Sequence, residues 1–381
     1  MIGKIADNII SPLGMTTEEN YLAVKKGDSR LARYEGLWGL PEPFCASLFT
    51  DSQWEDLSLE GEYTRFERLL IHSIAQALSQ TDIDASSPRV LFVVSTTKGN
   101  VELLDSRAPS LRERDLRKAL ELGNAARQVS RYFHNENAPV VASNACISGV
   151  SAQIAALRAI ESGRYDTVVV SGTDVQSRFI ISGFQSLKAV SQEPCRPFDI
   201  DRCGLNLGEA GATLIYGRLP EAPEGESWLA EAGAVRNDAF HISNPSKTAE
   251  GCFRALRQVM EYCEKEELAL VNAHGTSTLY NDEMEAMALK RARLSEVPVN
   301  SLKGYYGHTM GAAGILETIL TMRAIDDRTV LGTKGFEEMG VSCGVNISRD
   351  NRPTDKQAFV KLISGFGGSN AAMLFRKGGM L

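Results

Sequence analysis

Along the chain, short apolar runs alternate with longer stretches in which apolar residues return every three or four positions. The runs Val90–Val94, Thr167–Val170, Ala212–Tyr216, Leu268–Asn272, Val297–Asn300 and Ala358–Ile363 are short and nearly continuous. They predict strands buried on both faces, as in a parallel sheet covered by helices. Between them, Tyr63–Leu78 carries Phe66, Leu69, Leu70, Ile74 and Leu78 at helical spacing. Glu18–Lys26, Leu111–Tyr132, Cys252–Lys265 and Asp282–Ala292 also read as helices, and Met310–Ile325 as an apolar helix rich in small residues. Residues 1–60 otherwise read as irregular, with a turn at Ser11–Gly14 and a loop over Leu37–Ser58. The alternation predicts βαβ units and a layered α/β architecture. A Pro/Glu/Gly-rich segment, Pro220–Ser227, marks the expected boundary between two halves, 1–218 and 219–381.

One stretch departs from this plain alternation. Val140–Ala156 begins as a β-branched run, turns through Ser143, Asn144 and Ala145, reaches Cys146, and continues as a buried helix with Val150, Ile154 and Leu157 at helical spacing. Cys146 is therefore expected at a helix N-terminus, where unpartnered N–H groups and the macrodipole favour a thiolate. A structural cysteine at a packed junction is the plainer alternative.

Composition narrows the field. The chain has 381 residues, 43% hydrophobic and 23% charged, with a net charge of −7. The negative balance argues against nucleic acid as the main partner. No apolar run approaches the roughly 18 residues that suggest a membrane span. The N-terminus lacks the basic-then-apolar layout of a secretion signal. Seven cysteines, an odd number without a CxxC pair, point to a reduced, cytoplasmic protein. No HExxH or Cys/His cluster in the sequence suggests a metal site.

Three further segments add chemistry. Asn272–Glu285 (NAHGTSTLYNDEME) places His274 just beyond a buried strand. Ser301–Glu317 (SLKGYYGHTMGAAGILE) places Lys303 and His308 ahead of a helix. Gly365–Asn370 (GFGGSN) has neither dinucleotide-fingerprint nor P-loop spacing. It is either a tight strand-to-helix turn or a set of backbone N–H groups held ready for an oxyanion. Two of only five histidines, both in Gly-flanked strand-end turns, together with Cys146 make a candidate Cys-His-His site.

In this order the segments resemble the β-ketoacyl-acyl carrier protein synthases, the elongating condensing enzymes of the thiolase superfamily. Ser11–Gly14, Arg196–Asp199 with Gly208-Glu209, Asp238–His241, His274–Thr276 with Asp282 and Glu285, and Lys303 with His308, Gly311–Gly314 and Glu317 carry the resemblance. It implies a five-layered αβαβα thiolase-like fold from two similar halves. It also implies a dimer, usually homodimeric and otherwise a heterodimer with a sister ketosynthase, with the strand before Cys146 at the two-fold. Cys146 would take an acyl group from the 4′-phosphopantetheine of an acyl carrier protein. His274 and His308 would assist malonyl decarboxylation, and Lys303 would hold the electrostatics with Glu317 or Glu285. The N–H groups of Cys146 and Phe366, beside Gly367, would form the oxyanion hole, with Phe366 as the gate beside the nucleophile and Phe184 close to it. No cofactor and no metal are implied. Lys188 lies in a segment resembling the family's carrier-contacting edge, with Arg65, Arg68, Arg127 and Arg131 as further docking candidates. Where the family has Thr-Ala-Cys-Ser-Ser, this chain has Asn144-Ala145-Cys146-Ile147-Ser148, so Ile147 is expected to reshape the acyl pocket. Cys203 replaces an aspartate, and the N-terminal strand is expected to be short. Rival readings are a degradative thiolase with Cys343 as second cysteine, a CoA-primed Cys-His-Asn synthase, and a non-catalytic chain-length partner.

Overall fold

The computed structural model describes residues 1–105, 113–219 and 227–378. The expected boundary segment, apart from Ser227, and the start of the Leu111–Tyr132 stretch lie outside the described residues. Ten strands build the frame: β1 (Ile2–Ile10), β2 (Val90–Ser95), β3 (Val140–Ala142), β4 (Thr167–Asp174), β5 (Ala210–Arg218), β6 (Ser227–Asn237), β7 (Leu268–Asn272), β8 (Pro298–Asn300), β9 (Ala358–Gly365) and β10 (Ser369–Gly378). The first five lie in the order β3-β2-β4-β5-β1 and the second five in the order β8-β7-β9-β10-β6, which is the same order repeated. Each set has three parallel strands followed by two antiparallel ones. A bridge between Gly3 and Leu229 is the register contact joining the two sets.

Helices fill three layers around these sheets. The Ser148–Glu161 and Ala313–Asp326 helices lie between them, and their Ile154, Leu157, Ile315, Leu316 and Ile319 share one core with Val168 of β4 and Phe359 of β9. The Arg65–Leu78 and Leu122–Tyr132 helices cover the outer face of the first set through Phe66, Leu69, Ile74 and Val129. The Glu250–Val259 and Leu279–Arg291 helices cover the second through Leu256, Val259, Met284 and Leu289. The result is the expected αβαβα layering. The central pair is nearly devoid of large side chains at its crossing. A Cβ on Gly314 would lie 2.7 Å from the Val150 nitrogen, and one on Gly149 would lie 3.0 Å from the Gly314 Cα.

Several expectations are corrected. The N-terminal region is not irregular: β1 is nine residues long and central to the sheet. Its apolar pattern is masked by Asp7 and Asn8, which are buried but satisfied by Lys4, Thr17 and the Met15 carbonyl. The arginine-rich stretch is two helices, Glu113–Leu120 and Leu122–Tyr132, broken where Glu121 takes an extended backbone. The GFGG segment joins β9 to β10 as a hairpin, not a strand to a helix, with Gly365 opposite Ser369. Gly367 and Gly368 supply the positive φ angles, 84° and 75°, that this reversal needs.

The crossing gives a direct test. Gly314→Val forces side-chain carbons into the backbone of the facing helix and is expected to cost about 3 kcal/mol. A thermal melt within about 2 °C of the wild type would show that the helices can part without penalty.

Candidate active site

Cys146 stands at the end of a strained turn. β3 ends at Ala142, Ala145 takes a positive φ of 45°, and the following helix begins only at Ser148 with Ile147 as its N-cap residue. Ser148 Oγ staples the turn, accepting the Asn144 N–H at 2.8 Å and donating to the Ala145 carbonyl at 2.6 Å. Ser369 Oγ donates to Asn144 Oδ1 at 3.1 Å, tying the turn to the β9–β10 hairpin. Position 365 is tight: a Cβ there would lie 3.0 Å from the Cys146 nitrogen, so a larger residue would push on the nucleophile turn. The expected thiolate is not the resting form. Burial pushes the Cys146 thiol up to about 11, outweighing Lys303, Lys98 and a hydrogen bond from the Phe366 N–H.

His274 follows β7 in a turn held by two buried carboxylates. Glu285 accepts the N–H groups of His274 and Gly275, both at 2.7 Å. Asp282 accepts those of Thr276, Ser277 and Phe198 at 3.0, 3.1 and 2.7 Å. Burial pushes Asp282 up to about 6 and also raises Glu285, with the neighbouring Asp282 charge adding to it. His308 hangs from Asn206, whose carbonyl accepts its N–H at 2.7 Å. Its Nδ1 accepts the Met310 N–H at 3.3 Å, so the neutral ring carries its proton on Nε2. His308 Nε2 and His274 Nδ1 are buried without a protein partner. The two rings meet edge to face with centroids 5.0 Å apart. Burial first, then Lys303, pulls both imidazoles well below their usual range, so both are neutral at rest.

Beneath the histidines lies a buried ion cluster. Lys303 pairs with Glu317, resolving the choice between Glu317 and Glu285. Lys361, which sequence reasoning missed, pairs with the other Glu317 oxygen at 2.5 Å. Burial alone would raise the Glu317 carboxyl, but the two ammonium groups outweigh it and hold it below its usual range. Asp174 was also missed; it is the last residue of β4, which runs on through Ser171, Gly172 and Thr173. It accepts hydrogen bonds from Thr96 Oγ1, the N–H groups of Thr97 and Lys98, and the Gly311 N–H.

The donor atoms of Cys146, His274 and His308 all lie within 4.8 Å of one another. They open into a cavity of about 360 Å³ that Phe366 and Phe184 also line, their rings stacked with centroids 5.9 Å apart. A thiol and two imidazoles this close can also capture a soft cation such as zinc, which would consume the same lone pairs.

Family models of the β-ketoacyl synthase N-terminal domain match residues 50–222, and those of its C-terminal domain residues 229–337. The chain belongs to the β-ketoacyl synthase family. It is 27% identical over 406 residues to a 3-oxoacyl-acyl-carrier-protein synthase 2 of Vibrio cholerae, covering 97% of each chain. It is 30% identical over 243 residues to nodulation protein E of Rhizobium leguminosarum bv. trifolii, covering 61% of this chain and 60% of that protein. Among solved structures, a ketosynthase in complex with its chain length factor from Xenorhabdus doucetiae superposes with a TM-score of 0.86 at 23% identity, covering 99% of this chain and 98% of that one.

Within this β-ketoacyl synthase, not every expected site residue reaches the cavity. Lys188 lines it, exposed at a positive φ of 53°. Arg65, Arg68, Arg127 and Arg131 do not: Arg65 stacks over Trp54, Arg68 donates to the Tyr63 carbonyl and Arg131 to Gln128. The Gly367 N–H is committed to the Ile242 carbonyl at 2.7 Å, which removes it as an oxyanion donor. Ile147 is fully buried in the central core and is not among the residues that line the cavity. Cys343 packs in the outer core of the second half, away from the cavity, so the two-cysteine thiolase reading fails. Cys203 does line the cavity, with its sulfur 3.1 Å from Ser191 Oγ.

The protonated resting thiol has a measurable consequence. Alkylation of Cys146 by iodoacetamide should accelerate with pH through the ordinary thiol range and keep rising toward about 11. A rate that levels off near pH 7 would show that burial does not dominate.

Proposed function

We propose that the chain performs decarboxylative Claisen condensation, extending an acyl group by two carbons in fatty acid, polyketide or polyene formation. The observation that carries this is a thiol and two neutral imidazoles converging on one cavity that reaches the surface at Lys188. In this reading Cys146 sulfur attacks an acyl thioester on the 4′-phosphopantetheine of an acyl carrier protein. The pantetheine thiol leaves with the proton that the cysteine gives up. The oxyanion rests on the N–H groups of Cys146 and Phe366. Malonyl carrier protein then loses CO2, and the electron pair of the broken bond becomes an enolate held by His274 and by His308 Nε2–H. The enolate carbon attacks the Cys146 thioester, forming the C–C bond and breaking the C–S bond; the electron pair leaves on the Cys146 sulfur as a thiolate, which takes a proton from solvent to return to the resting thiol. Decarboxylation supplies the electrons, so the steps call for neither a strong base nor a resident cofactor. Lys303, held by Glu317, keeps the site positive. Phe366 and Phe184 act as the gate.

We assign residues 1–218 and 219–381 to the two similar halves. Dimerisation is proposed through β3, an edge strand whose Val140 is exposed. The partner is a second copy or a sister ketosynthase. A purely non-catalytic partner role is disfavoured, because such a subunit has no use for Cys146 beside two histidines. Among the described residues no helix is long and apolar enough to cross a membrane.

Incubation with acyl carrier protein loaded with an acyl group should add one acyl mass to Cys146, and Cys146→Ala should abolish the adduct. His274→Ala and His308→Ala should each slow malonyl decarboxylation by about 10²–10³-fold while leaving acyl loading within about tenfold. Variants that lose loading but keep decarboxylation would reverse the roles. Lys188→Glu should raise the apparent KM for carrier-bound substrate but not for a pantetheine surrogate, and added salt should shrink the effect. Equal losses with both substrates would remove Lys188 from docking.

A further inference from the structure

Lys361 has no obvious reason to be where it is. It lies within the apolar strand β9, fully buried, between Val360 and Leu362. Burying an ammonium group costs stability unless a carboxylate balances it and acceptors satisfy its protons. Its partner, Glu317, is already neutralised by Lys303. One lysine suffices for one carboxylate, so within the Lys303–Glu317–Lys361 group the second lysine leaves one positive charge over.

The surroundings fit a charged rather than a neutral amine. Lys361 Nζ donates to Glu317 Oε2 at 2.5 Å and Asn272 Oδ1 at 2.7 Å, with the Asn272 and Ala273 carbonyls at 3.4 Å. Every one of these atoms is an acceptor, as an ammonium requires. Burial pulls the group below the usual lysine range while Glu317 opposes that pull. The other charged groups that act on it are Lys303 and Glu285, and its own charge is felt at both His274 and His308. The contact with Ala273 places it one residue from His274. Asn272 in turn donates to Asn300 Oδ1 at 2.8 Å, so the cluster also links β7, which positions His274, to β8, which leads into Lys303.

We propose that Lys361 is a positioning residue for condensation: with Lys303 it holds Glu317 in a Lys–Glu–Lys bridge whose one surplus positive charge lies beneath the histidines and stabilises the anion that forms on them. At rest the thiol and both imidazoles are neutral, so no anion on the reacting atoms faces this charge, and the other carboxylate that acts on it, Glu285, is engaged with the His274 and Gly275 N–H groups. The malonyl carboxylate and then the enolate supply the missing negative charge. Part of the cost of burying Lys361 is thereby released only when the anion is present, the condition under which a charge accelerates a reaction rather than merely tightening binding. The proposal rests on the condensation reading above.

Charge restoration separates this role from a structural one. Lys361→Met leaves the bridge neutral and should lower kcat for malonyl-carrier decarboxylation by about tenfold or more. Its KM should stay within about threefold of the wild type, and acyl loading of Cys146 should be retained. Asn272→Asp keeps an acceptor against Lys361 but cancels its charge, and should slow decarboxylation in the same way. Because it also loses the hydrogen bond from Asn272 to Asn300, it is read against Asn300→Ala, which breaks the same bond without adding a charge and should slow decarboxylation less; this pair decides the matter if the methionine variant does not fold. The double variant Glu317→Gln/Lys361→Met restores the surplus charge through Lys303 and should recover much of the lost kcat, although it lacks both bridge partners. Decarboxylation within about twofold of the wild type in Asn272→Asp, or a double variant slower than Lys361→Met, would overturn the role. A wild-type protein that neither takes up acyl groups nor releases CO2 would overturn the condensation reading itself.

Discussion

Everything at the centre of this protein depends on how closely two helices can approach. The Ser148–Glu161 helix follows the nucleophile turn, and the Ala313–Asp326 helix follows His308 and carries Glu317. Glycines 149 and 314 let their backbones touch, and Gln153 Nε2 locks the crossing by donating to the Gly314 carbonyl at 3.0 Å. The same closeness brings Gly311 against the first half, where its N–H meets Asp174 at 2.8 Å and its carbonyl accepts Ser95 Oγ at 2.7 Å. Gly172 belongs to this contact too, since a Cβ there would lie 2.6 Å from the Gly311 carbonyl. A methyl group at any of these places would pry the nucleophile's half from the histidines' half.

Burial then sets the resting protonation of the site. One physical cause, loss of solvent, acts in opposite directions on the two kinds of group: it keeps the thiol protonated and the imidazoles unprotonated. The cavity therefore rests without charge on its reacting atoms, over a cluster that carries a positive one. Three acidic residues beside it, Glu285, Asp282 and Asp174, each accept several backbone N–H groups, while Asp238 lines the cavity itself. The three hold loops in place where glycine and non-glycine residues alike take positive φ, at Gly275, Ser277 and Met310, while Ser148 and Ser369 hold the turn at Ala145. Strain and its compensation are gathered around the three reactive side chains.

The sequence disclosed much of this through periodicity and through local clusters of reactive residues. The buried runs of β2, β7 and β9 were legible because strands covered on both faces must be continuously apolar. Cys146, His274, Lys303 and His308 were legible because each sits in a short segment whose small residues and turns announce a strand end. Strand β1 was not, because its buried Asp7 and Asn8 are satisfied by partners elsewhere in the fold. The GFGG turn was recognised as special, but whether it led to a helix or a hairpin depended on the pairing of β9 with β10.

What the chain by itself determined was the kind of chemistry: a thiol, two imidazoles and a lysine, carried on three strand-end segments. Only the tertiary structure decided their state and their company. Cys146 is protonated rather than a thiolate because the depth of burial, a property of the packed whole, outweighs the local pull of its helix terminus. Lys361 reads in sequence as an interruption of an apolar strand. It becomes part of the site because β9 lies beside β7, with Lys361 in register with Asn272, and the central helix delivers Glu317 to the same point. Local order along a chain can specify which groups are present, but the charge on a buried group depends on solvent exclusion and on partners brought from far along the chain.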